Sequence, residues 1–159
     1  MTEKTVQVCV LTREHLPAAA ELEKLCFSEP WSEKALELLL GDMGVGAVCL
    51  ENGHAVAYGG MLLAPDEGQI TNIATHPSHR RRGYGRAVTE ALLEMALKKQ
   101  LEQVSLEVRV SNESAILLYE KLGFVKAGQR RNFYRAPKED ALVMIKRFGK
   151  EREDSPAEA

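Results

Sequence analysis

The chain has 159 residues and a formal net charge of −2 at pH 7; 45% of its residues are hydrophobic and 28% are charged. This length suits one domain with a buried core, and the composition is that of a globular rather than a disordered protein. The near-neutral, slightly acidic balance argues against a general nucleic-acid or membrane binder, so any basic site must be local. No apolar stretch of the sequence approaches the roughly 18 residues that a membrane span requires.

The pattern of apolar residues predicts elements in the order β-α-α-β-β-β-α-β-α-β-β. The elements predicted for the first half are a strand at 6–11, a helix with Ala18, Leu22, Leu25 and Cys26 on one stripe, a short helix from Ser32 to Leu40, and strands at 45–51, 54–63 and 69–75. Those predicted for the second half are a helix at 84–99, a strand at 104–110, a helix at 112–122, short extended pieces at 124–128 and 132–135, and a strand at 141–147. Because hairpins come first and βα crossovers later, we expect an α+β fold with a mixed sheet.

We expect residues 1–148 to form a single domain and the polar residues 149–159 to form a frayed tail. Three cysteines, Cys9, Cys26 and Cys49, lie in apolar contexts and are expected to be small buried hydrophobes rather than a disulfide framework. The four histidines form no metal-ligand spacing, so no metal is expected. The opening residues, MTEKTVQVCV, lack the pattern of a secretory signal, which makes a cytoplasmic location the expectation.

The segment HRRRGYGR, residues 79–86, lies between a predicted strand and the start of a predicted helix. Such a loop favours phosphate, because its backbone N–H groups point outward and the helix dipole attracts negative charge. Gly83 and Gly85 allow positive φ and close backbone approach, and the arginines can add charge-assisted hydrogen bonds. The order R-x-x-G-x-G is neither the Walker nor the Rossmann pattern. The loop therefore predicts an anion site; the alternative is a basic turn that begins an ordinary surface helix.

Four segments of the chain are informative in combination. They are PWSEK (30–34), NIATHPSHRRRGYGR (72–86), LEVRVSNESAILLYEKLGF (106–124) and RRNFY (130–134). With the element order, they resemble the GNAT superfamily of acetyl-CoA-dependent N-acetyltransferases, over most of residues 5–147. The resemblance implies a GNAT fold: a mixed, mostly antiparallel twisted sheet flanked by about four helices. Within the superfamily, the motifs are most similar to those of bacterial enzymes that acetylate the N-terminal alanine of small-subunit ribosomal protein S18.

The resemblance implies acetyl-CoA as co-substrate and assigns roles to residues of these motifs. Glu107 would be the general base and Tyr119 the general acid. Three residues would contact the acetyl and pantetheine end of the cofactor through their backbone groups: Ile73, Ala74 and Thr75. Six would wrap the pyrophosphate: Arg81, Arg82, Gly83, Tyr84, Gly85 and Arg86. Asn112 would contact the cofactor from the following helix. There are two mild departures, since Thr75 stands where an aliphatic residue is common and Arg80 replaces the usual glutamine.

The implied reaction is direct transfer in a ternary complex, because no cysteine or serine is paired in sequence with an evident base. An N-terminal α-amine has a reference pKa of about 7.7–8.0, so a positioned carboxylate can remove its proton near neutral pH. Two candidates also have structural interpretations: Glu107 could pair with Arg109, and Tyr119 could serve only helix packing. Asn112 is expected to cap its helix in either case.

The identity of the acceptor rests only on PWSEK and RRNFY. Trp31 is as compatible with a core anchor as with part of an acceptor groove, and the pair Phe133 and Tyr134 favours strand packing over direct substrate contact. The acceptor alternatives are a lysine side chain, another N-terminus or a small amine. A non-catalytic acyl-CoA-binding module is the alternative of a different class. We expect a monomer with no nucleic-acid or membrane partner.

Overall fold

A mixed β-sheet with helices on both faces forms the centre of the protein, for which a computed structural model describes residues 4–149. Within this range the strands are β1 (Val6–Val10), β2 (Gly44–Glu51), β3 (His54–Leu63), β4 (Glu67–Thr75), β5 (Gln103–Arg109), β6 (Val125–Arg135) and β7 (Lys138–Arg147). The helices are α1 (Leu16–Cys26), α2 (Glu33–Leu36), α3 (Tyr84–Lys98) and α4 (Glu113–Lys121). Short 3-10 turns lie at Arg13–His15, Glu37–Leu40 and Pro77–His79.

The strand order across the sheet is β1-β2-β3-β4-β5-β7-β6. Every neighbouring pair is antiparallel except β4 and β5, which are parallel. Helix α3 provides the crossover between these two strands, as parallel pairing requires. The prediction of an α+β fold with a mixed, mostly antiparallel sheet and about four helices is confirmed.

The parallel ladder between β4 and β5 is short. It pairs Glu67–Ile70 with Gln103–Leu106 and ends there, although both strands continue. At the same level β4 contains a bulge, because Ile70 and Asn72 pair with consecutive residues of β3 and Thr71 is left over. A bulge bends its strand and increases the local twist. The second half of β4 is thereby directed away from β5, and the sheet opens between the two strands.

The two faces of the sheet carry separate apolar clusters. On one face, α3 and α4 pack against the sheet through residues such as Val88, Leu92 and Tyr119. On the other face, α1 and α2 pack against it through residues such as Leu16 and Leu36. The opening between β4 and β5 therefore connects two layers that the sheet otherwise keeps apart.

The stripe that helix α1 buries shares Leu22 with the predicted one but is otherwise shifted. Leu25, expected on the apolar stripe, is 47% exposed. The residues that the helix buries are Leu16, Ala19, Ala20, Leu22 and Glu23. Both stripes have helical spacing, but the observed one places two alanines against the sheet and so allows a closer approach of the helix.

Strand β6 is continuous where two short pieces were predicted. Its register against β7 shifts twice, between Lys126 and Gly128 and between Arg130 and Tyr134. Irregularities of this kind insert residues without ending a strand, and they interrupt the two-residue alternation by which strands are recognised in a sequence.

The remaining predictions have mixed outcomes. Cys49 is buried as expected, whereas Cys9 and Cys26 are only partly buried, and all three are free thiols. Most of the predicted tail, residues 150–159, lies outside the described residues. No helix between residues 4 and 149 has the length and apolar character needed to cross a bilayer.

Gly59 offers a test of the packing between α3 and the sheet. A Cβ at this position would lie 2.6 Å from Ile73 Cδ1 and 2.7 Å from Val88 Cγ1. We expect Gly59→Ala to lower the free energy of unfolding by about 1–3 kcal/mol, because overpacking displaces its neighbours. Gly128→Ala is the matched control, since nothing lies within 4 Å of its Cβ position. Urea unfolding would measure both, and equal midpoints would contradict the packing described here.

Candidate active site

A groove of about 1010 Å³ lies where β4 and β5 separate. Its walls come from residues 69–73 of β4, 106–109 of β5, the segment 27–31 between α1 and α2, and residues 133–137 at the turn between β6 and β7. The last two walls touch, because Ser28 Oγ donates a hydrogen bond to the carbonyl of Ala136 at 2.5 Å. The groove is therefore bridged across part of its length.

The backbone of β4 presents hydrogen-bonding groups to this opening. The N–H of His76 donates to Val56 of β3 at 2.8 Å. Backbone groups alternate in direction along an antiparallel pair, so those of Ile73 and Thr75 face away from β3 and toward the opening. The backbone of Ala74 faces β3, and its side chain is buried between α1 and the sheet. Of the three residues predicted for the cofactor's acetyl end, Ile73 therefore presents its backbone to the groove. Thr75 has the same orientation but lies beyond the groove lining, and its carbonyl already accepts from Cys26 Sγ at 3.2 Å and from Arg80 Nε at 3.3 Å.

Glu107 enters the groove from the face of the sheet that carries α1. Its neighbours Leu106 and Val108 are buried on the opposite face, so strand alternation directs the carboxylate toward the α1 side. Gln69 Nε2 donates to Glu107 Oε1 at 3.1 Å, and Arg130 Nε lies 3.2 Å from Oε2. The alternative pairing of Glu107 with Arg109 is not observed, because Arg109 pairs with Glu139 at 3.2 Å.

Tyr119 reaches the same groove from the other face. It belongs to the apolar cluster beneath α4, its ring packs edge-on against Phe124 at 5.7 Å, and it is 8% exposed. Burial, with a smaller contribution from Tyr134, raises the pKa of Tyr119 to about 12. Tyr119 therefore packs within its helix layer and also lines the groove as a phenol that stays protonated across the neutral range.

The glycine loop lies beside the end of β4. A Cβ at Gly85 would be 3.2 Å from Thr75 Oγ1, which places the start of α3 against that strand. The first bond inside this 15-residue helix runs from the N–H of Ala87 to Gly83 at 3.0 Å. The N–H groups of residues 84–86 therefore point out of the helix N-terminus without partners in the helix. Arg81 and Gly83 have φ values of +66° and +82°, which turn the chain into this position.

The side chains of the loop are directed mostly to protein partners. Arg82 and Tyr84 both contact Glu51, at 3.4 and 2.5 Å, and Arg86 pairs with Glu90 at 3.6 Å. Three of the predicted pyrophosphate residues are arginines, and Arg82 contacts Glu51. The other two, Arg81 and Arg86, are exposed and do not contact Glu51. An anion at the helix N-terminus would therefore meet the free backbone N–H groups and these two arginines.

Asn112 caps its helix and also lies on the wall of the groove. Its side chain caps α4 by accepting from the N–H of Ala115 at 3.3 Å, and the residue also lines the groove. Trp31 likewise packs against the α1 cluster while lining the groove, so neither of its interpretations excludes the other. Tyr134, for which packing was predicted, also lines the groove, with the Arg109 guanidinium 4.2 Å from its ring centre.

Sequence reasoning missed Glu23, a fully buried carboxylate behind the groove. It accepts hydrogen bonds from the hydroxyl of Tyr58, from Asn72 Nδ2 at 2.7 Å and from the N–H of Trp31 at 2.8 Å. Burial raises its pKa, and these hydrogen bonds oppose the rise. Two of its partners line the groove, so Glu23 fixes part of the wall. The available signal was an acidic residue on the same helical stripe as Leu16 and two alanines.

Comparison with known proteins identifies the family. A model described as "Acetyltransferase (GNAT) family" matches residues 16–124, which is more than half of the chain. The chain belongs to the GNAT acetyltransferase family. It is an N-acetyltransferase, and acetyl-CoA is its acetyl donor.

Similar proteins span nearly the whole fold. The [ribosomal protein bS18]-alanine N-acetyltransferase of Escherichia coli is 39% identical over 131 residues, covering 81% of this chain and 88% of that protein. The N-alpha-acetyltransferase RimI of Mycobacterium tuberculosis is 34% identical over 160 residues, covering 94% of this chain and 98% of that protein. The crystal structure of the Escherichia coli ribosomal-protein-S18-alanine N-acetyltransferase has a TM-score of 0.83 at 36% identity, covering 90% of this chain and 94% of that one.

The raised pKa of Tyr119 can be tested by its ultraviolet absorbance. The folded-state pKa of about 12 exceeds the reference value near 10, so the neutral phenol is favoured in the folded protein. The associated stability is present below the unfolded pKa and is lost as the pH rises through the folded one. We expect the difference in 295 nm absorbance between the wild type and Tyr119→Phe to stay flat up to about pH 11. A tyrosinate step near pH 10 in that difference would contradict the burial of Tyr119.

Proposed function

We propose that residues 1–148 form one acetyltransferase domain that acetylates the N-terminal α-amine of a protein, and that its acceptor is the N-terminal alanine of ribosomal protein bS18. The observation that carries the proposal is the meeting of Glu107 and Tyr119, from opposite faces of the sheet, in one groove. The names of the Escherichia coli and Mycobacterium tuberculosis relatives, both similar over more than four-fifths of this chain, support the acceptor.

Acetyl-CoA would bind along the α3 side of the opening. The N–H groups of residues 84–86 face outward from a 15-residue helix, where partial positive charge favours the pyrophosphate. The exposed cations Arg81 and Arg86 would add to this attraction. The backbone of Ile73 and the N–H of Thr75 would then hold the pantetheine arm, as an added strand would, and place the thioester at the opening.

The acceptor amine would meet Glu107 on the α1 side. Deprotonating an α-ammonium of pKa about 7.7–8.0 costs only about a kcal/mol at neutral pH. Glu107, directly or through a water molecule, would receive this proton, and the amine would attack the thioester carbonyl. A lysine ammonium has a reference pKa of about 10.4, and its deprotonation would cost about 3 kcal/mol more. A single carboxylate already contacted by Gln69 and Arg130 therefore suits an α-amine better than a lysine.

Collapse of the tetrahedral intermediate would release the thiolate toward Tyr119. The oxyanion would lie near the backbone N–H of Ile73, which faces the opening. Because the Tyr119 pKa is about 12 and a thiol has a reference pKa of about 8.5, a separate proton transfer would be uphill by roughly 5 kcal/mol. Proton donation must therefore accompany cleavage of the C–S bond, which requires that the hydroxyl be held close to the sulfur.

The acceptor is tested by incubating the protein with acetyl-CoA and an alanine-starting peptide of ribosomal protein bS18. We expect one acetyl group on the α-amine, located by fragment-ion mass spectrometry. Comparison substrates are the same peptide with a blocked N-terminus and one internal lysine, and a polyamine. Acetylation of the lysine or the polyamine with an unmodified α-amine would overturn the proposed acceptor while leaving the acetyl-transfer activity intact.

The roles of the two groove residues are tested by near-isosteric changes. We expect Glu107→Gln and Tyr119→Phe each to lower kcat by about 100-fold or more, the usual range for a positioned acid or base. Glu94→Gln is the control, because this glutamate lies on the outer surface of α3 and its side chain is 69% exposed. Full turnover in both groove variants would refute the assignment of Glu107 and Tyr119.

A further inference from the structure

Glu51, the last residue of β2, contacts the glycine loop at three points. Its carboxylate accepts from the hydroxyl of Tyr84 at 2.5 Å and lies 3.0 Å from His79 Nε2 and 3.4 Å from the Arg82 guanidinium. Lys4, from the segment before β1, approaches the same carboxylate at 3.4 Å. Only 12% of the Glu51 side chain is exposed. One carboxylate thus joins the end of β2 to His79, Arg82 and Tyr84, which lie before, within and after the turn of the loop.

The loop needs such support because its backbone is strained. Arg81, with φ at +66°, and Gly83, with φ at +82°, flank Arg82 on either side. A non-glycine residue in the left-handed region is held there only when its surroundings determine it. The contact with Arg82 lies between these two residues, while His79 and Tyr84 fix the chain on either side. The Glu51 contacts therefore hold the loop in the conformation that directs the N–H groups of residues 84–86 outward.

We infer that Glu51 is a positioning residue that preorganises the loop for the pyrophosphate of acetyl-CoA. This inference rests on the proposed role of the loop. Glu51 does not itself line the groove, and it lies outside the four sequence segments on which the resemblance rests. Its effect on the cofactor would be transmitted through His79, Arg82 and Tyr84.

The negative charge of Glu51 alone would weaken acetyl-CoA binding, whereas its contacts with the loop would strengthen it. The direction in which binding changes when Glu51 is removed therefore tests the inference. The hydrogen bond from Tyr84 and the charges of Lys4 and His79 hold the pKa of Glu51 below its usual range, so the carboxylate stays ionised. An ionised carboxylate behind an anion site repels the anion. If charge mattered more than loop order, removing it would strengthen acetyl-CoA binding. If positioning matters more, binding must weaken.

The test compares Glu51→Ala with the wild type and with Glu37→Gln. Glu37 is the matched control because it also pairs with an arginine, Arg13, at 3.1 Å, but on a different part of the surface. We expect Glu51→Ala to raise the KM and Kd for acetyl-CoA about tenfold, the effect of losing roughly one charge-assisted contact. Its kcat and its KM for the acceptor peptide are expected to stay within about twofold of wild type. Unchanged or tighter acetyl-CoA binding, or a loss of kcat alone, would overturn the inference.

Two further measurements separate positioning from general destabilisation. Tyr84→Phe keeps the buried ring and removes only the hydroxyl bound to Glu51, so we expect a smaller rise in the KM for acetyl-CoA.

Limited trypsin digestion measures the order of the loop directly, because residues 80–86 contain four arginines at which trypsin can cleave. Cleavage there should be faster in folded Glu51→Ala and should be suppressed by saturating CoA; equal cleavage in the two proteins would count against the inference. If the wild type neither bound nor used acetyl-CoA, the proposed function would be wrong. If the wild type were active and Glu51→Ala had the same KM for acetyl-CoA, only the role of Glu51 would be refuted.

Discussion

The separation of β4 from β5 is the constraint on which the rest of the site depends. A sheet normally keeps its two faces apart, since backbone hydrogen bonds fill the space between strands. Here the parallel ladder stops after Ile70 and Leu106, at the level where Thr71 is inserted into β4. This break leaves backbone groups free to face a ligand and gives side chains of both layers access to one space. With a full ladder, Glu107 and Tyr119 would be separated by the sheet.

The charged groups around this break are held by specific partners. Glu107 is contacted by Gln69 and Arg130, and Arg109 reaches Glu139 and the carbonyls of Ala136 and Pro137 at the neighbouring turn. Behind the groove, Glu23 has three hydrogen-bond donors although it is fully buried. Each of these carboxylates joins two or more elements that are distant in the chain. Polar contacts therefore give the site its shape, while the two apolar clusters hold the layers against the sheet.

Much of this arrangement could be predicted from local sequence. The loop at 79–86, the cap at Asn112 and the order of strands and helices depend on short-range rules of glycine conformation, capping and periodicity. The positions of Glu107 and Tyr119 within their elements were predicted as well, although their chemical roles came from resemblance and remain proposals. The fold class followed from the same local information.

What could not be predicted depends on contacts between distant residues. The partners of Glu23 lie 8, 35 and 49 positions away, and its burial becomes evident only when α1 is docked on the sheet. The orientation of Arg82 toward Glu51 joins residues 31 positions apart. The continuity of β6 depends on irregular pairing with β7, and periodicity does not report such pairing. Charge pairing of this kind is set by tertiary register, which one sequence does not reveal.

The placement of Glu107 and Tyr119 on opposite faces of the sheet affects how the two products would be released. In the proposed reaction, the acetylated peptide would leave along the α1 layer and CoA would leave along the α3 layer. Neither product would then block the exit of the other, and neither would have to cross the reaction centre. A sheet parted at one point would thus give the two products separate routes to solvent.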